Sequence, residues 1–288
     1  MLGLLFFEAR VKNGGGMAFP LFLRLPWGCG NMEKKTWKKV GNLSLRAIAV
    51  AIIFTVAIWG LYYLIQNAGY RFDFPRVIRY LPAFNKAMIL TLVIASVSLV
   101  AATVLGTLVG LARLSSITVL SDTATVYVQV LRNIPLMVII LALYFGLGAV
   151  FPKPSALFWG ILGLTLYEAS YIAEIVRGGI AAIHKEQRES ADALGMSYYT
   201  KMRHIILPQA FRNIIPALTG QLVMLAKDSS LLMVIGVMEL TLQSRYLLSV
   251  TFQALEIYVM TSIYYFAICF PLAMGAQYLE RRLSLEDR

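Results

Sequence analysis

The chain has 288 residues, of which 59% are hydrophobic and 14% are charged, and its mean hydropathy is +0.71. Soluble globular domains carry about 25% charged residues, so this composition indicates an integral membrane protein. The formal net charge is +11, but the basic residues cluster at the ends of apolar runs, which is typical of membrane topology and argues against nucleic-acid binding. Cys29 and Cys269 are too far apart and too differently placed to indicate a disulfide framework or a metal site.

The first part of the chain predicts a tail followed by one membrane span. Residues 1–42 form the tail, in which residues 1–31 contain neither an unbroken apolar core nor the positive start of a signal peptide. Met32 opens the basic stretch MEKKTWKK, so we expect residues 1–31 to be an upstream extension of the reading frame. Residues 43–65 are long enough to cross a bilayer, and a polar connection follows to residue 84.

Five more apolar segments predict spans, so the fold class is all-α with six transmembrane helices. The predicted spans cover residues 87–111, 123–147, 158–176, 214–237 and 255–278. Six spans place both termini on one side of the membrane. On that assumption fourteen Lys and Arg residues lie on the side of the termini and five on the opposite side, which predicts that both termini, including the tail 281–288, are cytoplasmic.

The polar interval 186–208 lies between the fourth and fifth predicted spans. Its first part, EQRESADAL, consists mostly of good helix formers. Gly195 is placed to end that helix with a left-handed residue, and Ser197 to cap a second helix that Pro208 interrupts or bends. Ala191 and Gly195 are four residues apart, so they share a helical face that could approach another protein closely. Composition alone also fits a solvated loop.

Four ionisable residues fall inside predicted spans, where charges are costly and usually face a bundle interior or an aqueous cavity. At 1.5 Å per helical residue, Arg132, Glu168, Lys227 and Asp228 lie roughly 14–20 Å from the start of their spans, near the middle of the membrane. They either pair with one another or line a substrate cavity. Lys227 and Asp228 point about 100° apart on a helix, so we expect them to face different neighbours.

The order of residues in the polar interval resembles the EAA loop of ABC-importer permeases. The matching residues are Glu189-Ser190-Ala191, Ala193-Leu194-Gly195 and Ile206-Leu207-Pro208, with Ser190 where the family usually has alanine. The flanking stretches EASYIAEIVRGGI (168–180), LPQAFRNIIPAL (207–218) and LAKDSSL (225–231) look like the polar-amino-acid branch of that family. The stretch LRNIPLMV (131–138) is similar to another motif of that branch, with Asn133 and Ile134 replacing its usual glycine and threonine.

The resemblance covers residues 85–280 and implies a five-helix type I importer core, preceded here by one N-terminal helix. It implies that Glu189, Ser190, Ala191 and Gly195 couple the chain to ATPase subunits, and it favours the cavity interpretation of Arg132, Glu168, Lys227 and Asp228. The partners it implies are a second permease subunit, identical or related, two cytoplasmic ATPases and an extracytoplasmic solute-binding protein, in the lipid of a bacterial inner membrane.

The chain contains no G-x-x-x-x-G-K-[ST] phosphate-binding loop. We therefore expect no cofactor in this chain, with ATP and magnesium bound to the partner ATPases, and a transporter subunit without an ATPase site of its own. An ion-coupled secondary transporter of small polar solutes is the alternative, and it leaves the interval that resembles an EAA loop unexplained. An intramembrane enzyme would need a constellation such as H-E-x-x-H, which the sequence lacks.

Overall fold

The computed structural model describes residues 48–285 apart from 57, 61, 64, 65, 68, 69 and 71. The chain divides into two compact units, Met1–Arg71 and Phe72–Arg288. In the first unit, α1 is an apolar helix over Ile48–Gly60, shorter than the ~20 residues that a span needs. The predicted tail 1–42, the expectation for residues 1–31 and the start of the predicted span 43–65 lie outside the described residues.

The second unit begins with a short helix and its most apolar span. Asp73 caps α2 (Phe74–Ile78) by accepting a hydrogen bond from the Arg76 N–H at 3.1 Å. Helix α3 (Leu81–Ala112) buries a stripe of small residues that includes Ala95, Ala102, Gly106 and Gly110. Because these side chains are small, the backbone of a neighbouring helix approaches α3 closely, as predicted for this span.

The predicted span 123–147 is wrong as one continuous helix. Helix α4 (Thr118–Asn133) ends before Pro135, and α5 (Leu136–Leu141) continues into a π-helical turn (Ala142–Leu147) and α6 (Gly148–Val150). The two halves, Thr118–Asn133 and Leu136–Val150, are bent by 104°. The residue before a proline is disfavoured in the helical region, and Ile134 accordingly adopts φ −100°, ψ 132°.

Helix α7 (Ala156–Ala181) is the central helix of the second unit, and its backbone lies against α3. A Cβ added at Gly106 would lie 2.8 Å from the Ala169 carbonyl oxygen, and one at Gly110 would lie 2.8 Å from the Ala173 carbonyl oxygen. The contacts advance together along both helices, so α3 and α7 run parallel.

The next segments are α8 (Lys185–Ala193), α9 (Tyr198–Lys201), a π-helical turn (Met202–Ile206) and α10 (Leu207–Asp228). Pro208 follows the π-helical turn without ending the helix, because it occupies the first turn of α10, where its missing N–H is tolerated. Gly160 of α7 meets Leu232, and Gly179 meets Ile214, so α10 runs antiparallel to α7.

The span predicted over 214–237 is continuous in the structure as far as Ile235. After α10 the chain forms a 3₁₀ helix (Ser229–Ile235), turns at Gly236 with φ +82°, and begins again as α11 (Leu240–Thr251). The Leu240 N–H donates to Thr91 Oγ1 at 3.2 Å. Thr91 lies ten residues into α3, about 15 Å from its first residue, so α11 starts deep among the spans rather than beyond them.

Helix α12 (Ala254–Leu285) completes the all-helical second unit. Within the described residues, four helices are long and apolar enough to cross a membrane, or five if the bent pair around Pro135 is one span. These are Leu81–Ala112, Ala156–Ala181, Tyr198–Ile235 and Ala254–Arg282, with the pair Thr118–Asn133 and Leu136–Val150. The five match the five spans predicted after the first one, and the sixth, at 43–65, is not established by the described part of α1.

Candidate functional site: the polar elbow and the intramembrane charges

The polar interval forms a helix–turn–helix elbow whose turn is closed by backbone hydrogen bonds. The Met196 N–H donates to the Ala191 carbonyl at 3.1 Å, and the Gly195 N–H donates to the Asp192 carbonyl at 3.0 Å. This pair of bonds is the Schellman motif, which places a left-handed residue after the helix. Gly195 has φ +70°, as predicted, because a residue without a Cβ adopts this conformation at no steric cost.

Side chains on both arms of the elbow hold it in shape. Ser197 caps α9 by accepting from the Thr200 N–H at 3.3 Å, which confirms the predicted cap. Lys201 Nζ lies 2.5 Å from Asp192 Oδ1 and thereby bridges the two arms. Gln209 Nε2 donates to Gln187 Oε1 at 2.9 Å, which joins α8 to the start of α10. The elbow is therefore a defined structure rather than the solvated loop that composition also allowed.

One residue of the predicted contact face is buried in this chain. Ala191 is 1% exposed, so its side chain packs against this chain itself. Glu189, Ser190 and Gly195 are exposed, and Glu189 forms a surface ion pair with Lys185 at 3.0 Å. The large exposed side chains at the elbow, which sequence reasoning missed, are Leu194 at 80%, Tyr198 at 73% and Tyr199 at 69%.

A charged cluster that the sequence analysis did not identify lies where α3 and α7 end. The Glu174 carboxylate accepts hydrogen bonds from the guanidinium groups of Arg113 and Arg177. Arg113 follows α3, and its backbone carbonyl also accepts from Ser121 Oγ at 3.1 Å. Since α8 begins only a few residues after α7, the cluster fixes α3 and α7 to each other close to the elbow. A glutamate three residues before an arginine on one helix was the available sequence signal.

The four intramembrane charges differ in exposure and do not pair. Glu168 is 2% exposed, Asp228 is partly buried, and Arg132 and Lys227 are exposed on this chain. No ion pair joins any two of the four in the described part of the chain. The mutual pairing left open by the sequence is therefore not present among these side chains.

Glu168 is the most enclosed of these charges. One of its carboxylate oxygens, Oε1, has no hydrogen-bond partner among the described residues. The Asp228 carboxylate, which has the same sign, acts on it electrostatically. A buried carboxylate without a counter-ion is energetically costly. Two acidic groups that interact in this way form an environment that would favour a cation between or beside them.

The two cationic side chains lie on surfaces of this subunit. The Arg132 guanidinium stacks over the Tyr171 ring, 4.9 Å from its centroid, and the Tyr171 hydroxyl lies 2.9 Å from that of Tyr167. Lys227 interacts electrostatically with its neighbour Asp228, although the two side chains differ in exposure. This difference agrees with the prediction that adjacent helical residues face different surroundings.

Glu239 is a buried acidic residue that the sequence analysis missed because it lies just past the predicted end of its span. Glu239 is fully buried and caps α11 through the N–H groups of Thr241 and Leu242, both at 2.8 Å. The sequence signal for this cap was Gly236, followed three residues later by Glu239 and then by an apolar stretch. Glutamate, however, is not among the preferred capping residues. Glu239 therefore has a complete set of partners, unlike Glu168.

The comparisons with known proteins cover the elbow and all four intramembrane charges. The family model for the binding-protein-dependent transport system inner membrane component matches residues 102–285. The probable amino-acid ABC transporter permease protein YckA of Bacillus subtilis (strain 168) is 37% identical over 215 residues, which are 75% of this chain and 95% of that protein. The glutamine transport system permease protein GlnP of Escherichia coli (strain K12) is 34% identical over 221 residues, which are 75% and 99% of the two chains.

Two solved structures are similar in fold. One is the crystal structure of an amino acid ABC transporter with histidines, with a TM-score of 0.71 and 33% identity, covering 74% of this chain and 100% of that one. The other is the inward-facing MetNI methionine ABC transporter, with a TM-score of 0.56 and 19% identity, covering 74% of this chain and 99% of that one. The second, at its lower identity, shows a common fold alone.

Proposed function

The chain belongs to the family of inner membrane components of binding-protein-dependent transport systems, the ABC-importer permeases, and is a multi-pass inner membrane protein; on that premise we propose that it forms the translocation pathway for a polar amino acid. Relatives of this chain are named as permeases for glutamine and for arginine. The four intramembrane charges support a zwitterionic substrate, because a free amino acid carries an ammonium and a carboxylate.

The complex that we propose contains permease, ATPase and binding-protein subunits. This permease pairs with a second permease subunit, identical or related, and the pair binds two cytoplasmic ATPase subunits and an extracytoplasmic solute-binding protein. ATP and magnesium bind to the ATPases. The distribution of basic residues supports an orientation with both termini in the cytoplasm, which places the elbow on the side of the ATPases.

The proposed ATPase contact is the exposed surface of the elbow formed by Leu194, Tyr198 and Tyr199. These three large side chains are 69–80% exposed, on an otherwise polar segment. Exposed apolar patches rimmed by polar residues mark protein interaction sites, and tyrosine is enriched in such interfaces. Gly195 sets the angle between the arms that carry them. This exposed surface is the single observation that carries the coupling proposal.

A matched pair of leucine substitutions tests the contact. Leu194→Ala removes an exposed side chain from the elbow, whereas Leu114→Ala removes one that is 44% exposed in the connection after α3. We expect Leu194→Ala to reduce the ATPase recovered with the detergent-purified permease and to reduce ATP-dependent uptake, while Leu114→Ala changes neither. Equal ATPase recovery in both variants would reject the elbow as the docking site.

The proposed substrate pathway lies along the exposed charges at membrane depth. A lysine facing hydrocarbon would be costly, so the exposed Lys227 indicates a face that lines a polar cavity completed by the second permease subunit. In this cavity Arg132 and Lys227 would attract the substrate carboxylate, and the partly buried Asp228 its ammonium group. Glu168, which is buried, would act on the substrate only through its negative charge. We expect Lys227→Met to lower uptake without lowering the amount of assembled complex; a parallel loss of both would contradict this role.

A further inference from the structure

A pair of tyrosines on α7 contacts the exposed cation in the last turn of α4. The Arg132 guanidinium lies over the Tyr171 ring, and its distance of 4.9 Å from the ring centroid is within the reach of about 6 Å that cation–π interactions have. The ring centroids of Tyr167 and Tyr171 are 5.0 Å apart, and their hydroxyl groups are hydrogen-bonded. The ring that Arg132 covers is therefore itself held in place by a neighbour on the same helix.

A hydrogen bond near Arg132 fixes α4 against α7. The Tyr127 hydroxyl donates to the Leu166 carbonyl at 2.7 Å. Arg132 lies five residues beyond Tyr127, and Tyr171 lies five residues beyond Leu166. The cation–π contact thus forms where the two helices are already joined, in the last turn of α4 before the bend at Pro135.

The donors of the Arg132 guanidinium are open to a ligand. A guanidinium carries five N–H donors, and within the described part of the chain no hydrogen bond or ion pair engages those of Arg132. Arginine binds carboxylates through two parallel N–H···O bonds, for which its orientation must be correct. The Tyr171 ring fixes that orientation without occupying a donor.

The tyrosine pair extends from Arg132 toward the acidic residues of the proposed pathway. Asp228 and Glu168 both act electrostatically on the Tyr167 hydroxyl, which is bonded to the hydroxyl of Tyr171. Arg132 and the two acids therefore belong to one region of the subunit, in which the carboxylate and the ammonium of an amino acid can be bound together.

We propose that Tyr171 is a positioning residue for transport, whose ring holds the Arg132 guanidinium where it meets the substrate carboxylate. This inference rests on the proposed function, in which Arg132 attracts that carboxylate. An arginine side chain has many rotamers, and a ring that limits them reduces the entropy lost when the substrate binds. Without the ring, the contact with the carboxylate should weaken about 3- to 30-fold, which corresponds to the strength of a partly desolvated cation–π interaction.

Variants that remove the ring, the hydroxyl or the cation separate the possible roles. Tyr171→Leu and Tyr171→Met remove the ring, so that if one fails to assemble the other is still measured. Tyr171→Phe keeps the ring and removes the hydroxyl. Tyr258→Leu is the matched control, at a position 44% exposed on α12. Arg132→Gln removes the cation, alone and in combination with Tyr171→Leu.

The measurement is made on the complete complex, reconstituted in proteoliposomes with its cognate ATPase and binding protein. Import of radiolabelled glutamine, arginine and histidine is assayed, and the ratio of amino acid imported to ATP hydrolysed is determined for each one transported. We expect this ratio to fall at least threefold in Tyr171→Leu and Tyr171→Met, and to stay within twofold of the unaltered complex in Tyr171→Phe and Tyr258→Leu. In the Arg132→Gln background, Tyr171→Leu should change the ratio by less than twofold, because the ring has no cation to hold.

Three results would overturn the inference while leaving the proposed function intact. If Arg132→Gln lowers the ratio but both aliphatic variants of Tyr171 retain it, the guanidinium needs no ring. If Tyr171→Phe falls as far as Tyr171→Leu, the hydroxyl acts rather than the ring. If neither aliphatic variant assembles, or if Tyr171→Leu lowers the ratio threefold in the Arg132→Gln background as well, Tyr171 serves packing alone.

Two other results would reject the proposed function together with this inference. An unaltered complex that imports none of the three amino acids would reject a pathway for polar amino acids. An unchanged ratio in Arg132→Gln would exclude Arg132 from that pathway, and the ring of Tyr171 would then have no part in it.

Discussion

Replacing Gly195 by alanine tests whether coupling requires the left-handed turn of the elbow. Gly195 has φ +70°, and nothing lies within 4 Å of the position that a Cβ would take, so the cost of alanine arises from the backbone alone. A left-handed conformation costs an L-residue about 1–2 kcal/mol. Since about 1.4 kcal/mol corresponds to a factor of ten, the equilibrium constant for the correctly bent elbow should fall about 5- to 30-fold. The affinity for the ATPase should fall by up to the same factor.

Gly178→Ala provides the control for this substitution. Gly178 also has open space around it, but it lies inside α7, where alanine is the better helix former by about 1 kcal/mol. Titrating labelled cognate ATPase onto each detergent-purified permease measures the affinity, and membrane fractionation verifies that both variants insert. An affinity of Gly195→Ala within twofold of the unaltered chain would refute the requirement for this turn.

Three further predictions concern topology and buried charge. In sealed cells whose native cysteines are replaced by alanine, an external maleimide should label Ser155→Cys and not Ser190→Cys; the reverse pattern would contradict the proposed orientation. Glu168→Gln removes an unpaired buried charge at nearly constant shape, so the amount of folded permease should be maintained while uptake falls; unchanged uptake would exclude Glu168 from the pathway. Glu174→Gln deprives Arg113 of its charged partner, at a cost of about 1–3 kcal/mol. The melting temperature in detergent should therefore fall, while uptake per folded complex is preserved. An unchanged melting temperature would show that this pair adds no stability.

Local features of the elbow could be predicted from sequence because their causes lie within a few residues. A left-handed Gly195 after a run of helix formers and a Ser197 cap before the next helix both depend on steric freedom and on hydrogen bonds to nearby N–H groups. The five apolar segments after residue 85 were found for a similar reason, since a span is defined by its length and polarity.

The tertiary structure decided which faces meet, and this is where predictions failed. Ala191 and Gly195 share a helical face in the sequence, but packing buries Ala191 and leaves Gly195 exposed. For a helix in lipid, hydrophobicity does not distinguish the face that packs on other helices from the face that meets lipid. A side chain facing acyl chains is as apolar as one in the protein core. On α3, Val100 and Val104 are exposed while Ile94 is buried, and the small residues that bring α7 close are what select the packed face.

The bend within one span and the helix break that follows another could not be predicted from the sequence, except that a proline marked the first. Pro135 signalled a local disturbance, but a bend of 104° depends on where α5 packs. Between α10 and α11 no proline is present; the helix ends before the left-handed Gly236, and α11 begins where Glu239 caps it and accepts from Tyr265 of α12. Sequence by itself thus determined the five apolar segments after residue 85, the elbow and the family resemblance. The pairing of buried charges depends on distances between helices, which only the folded chain sets.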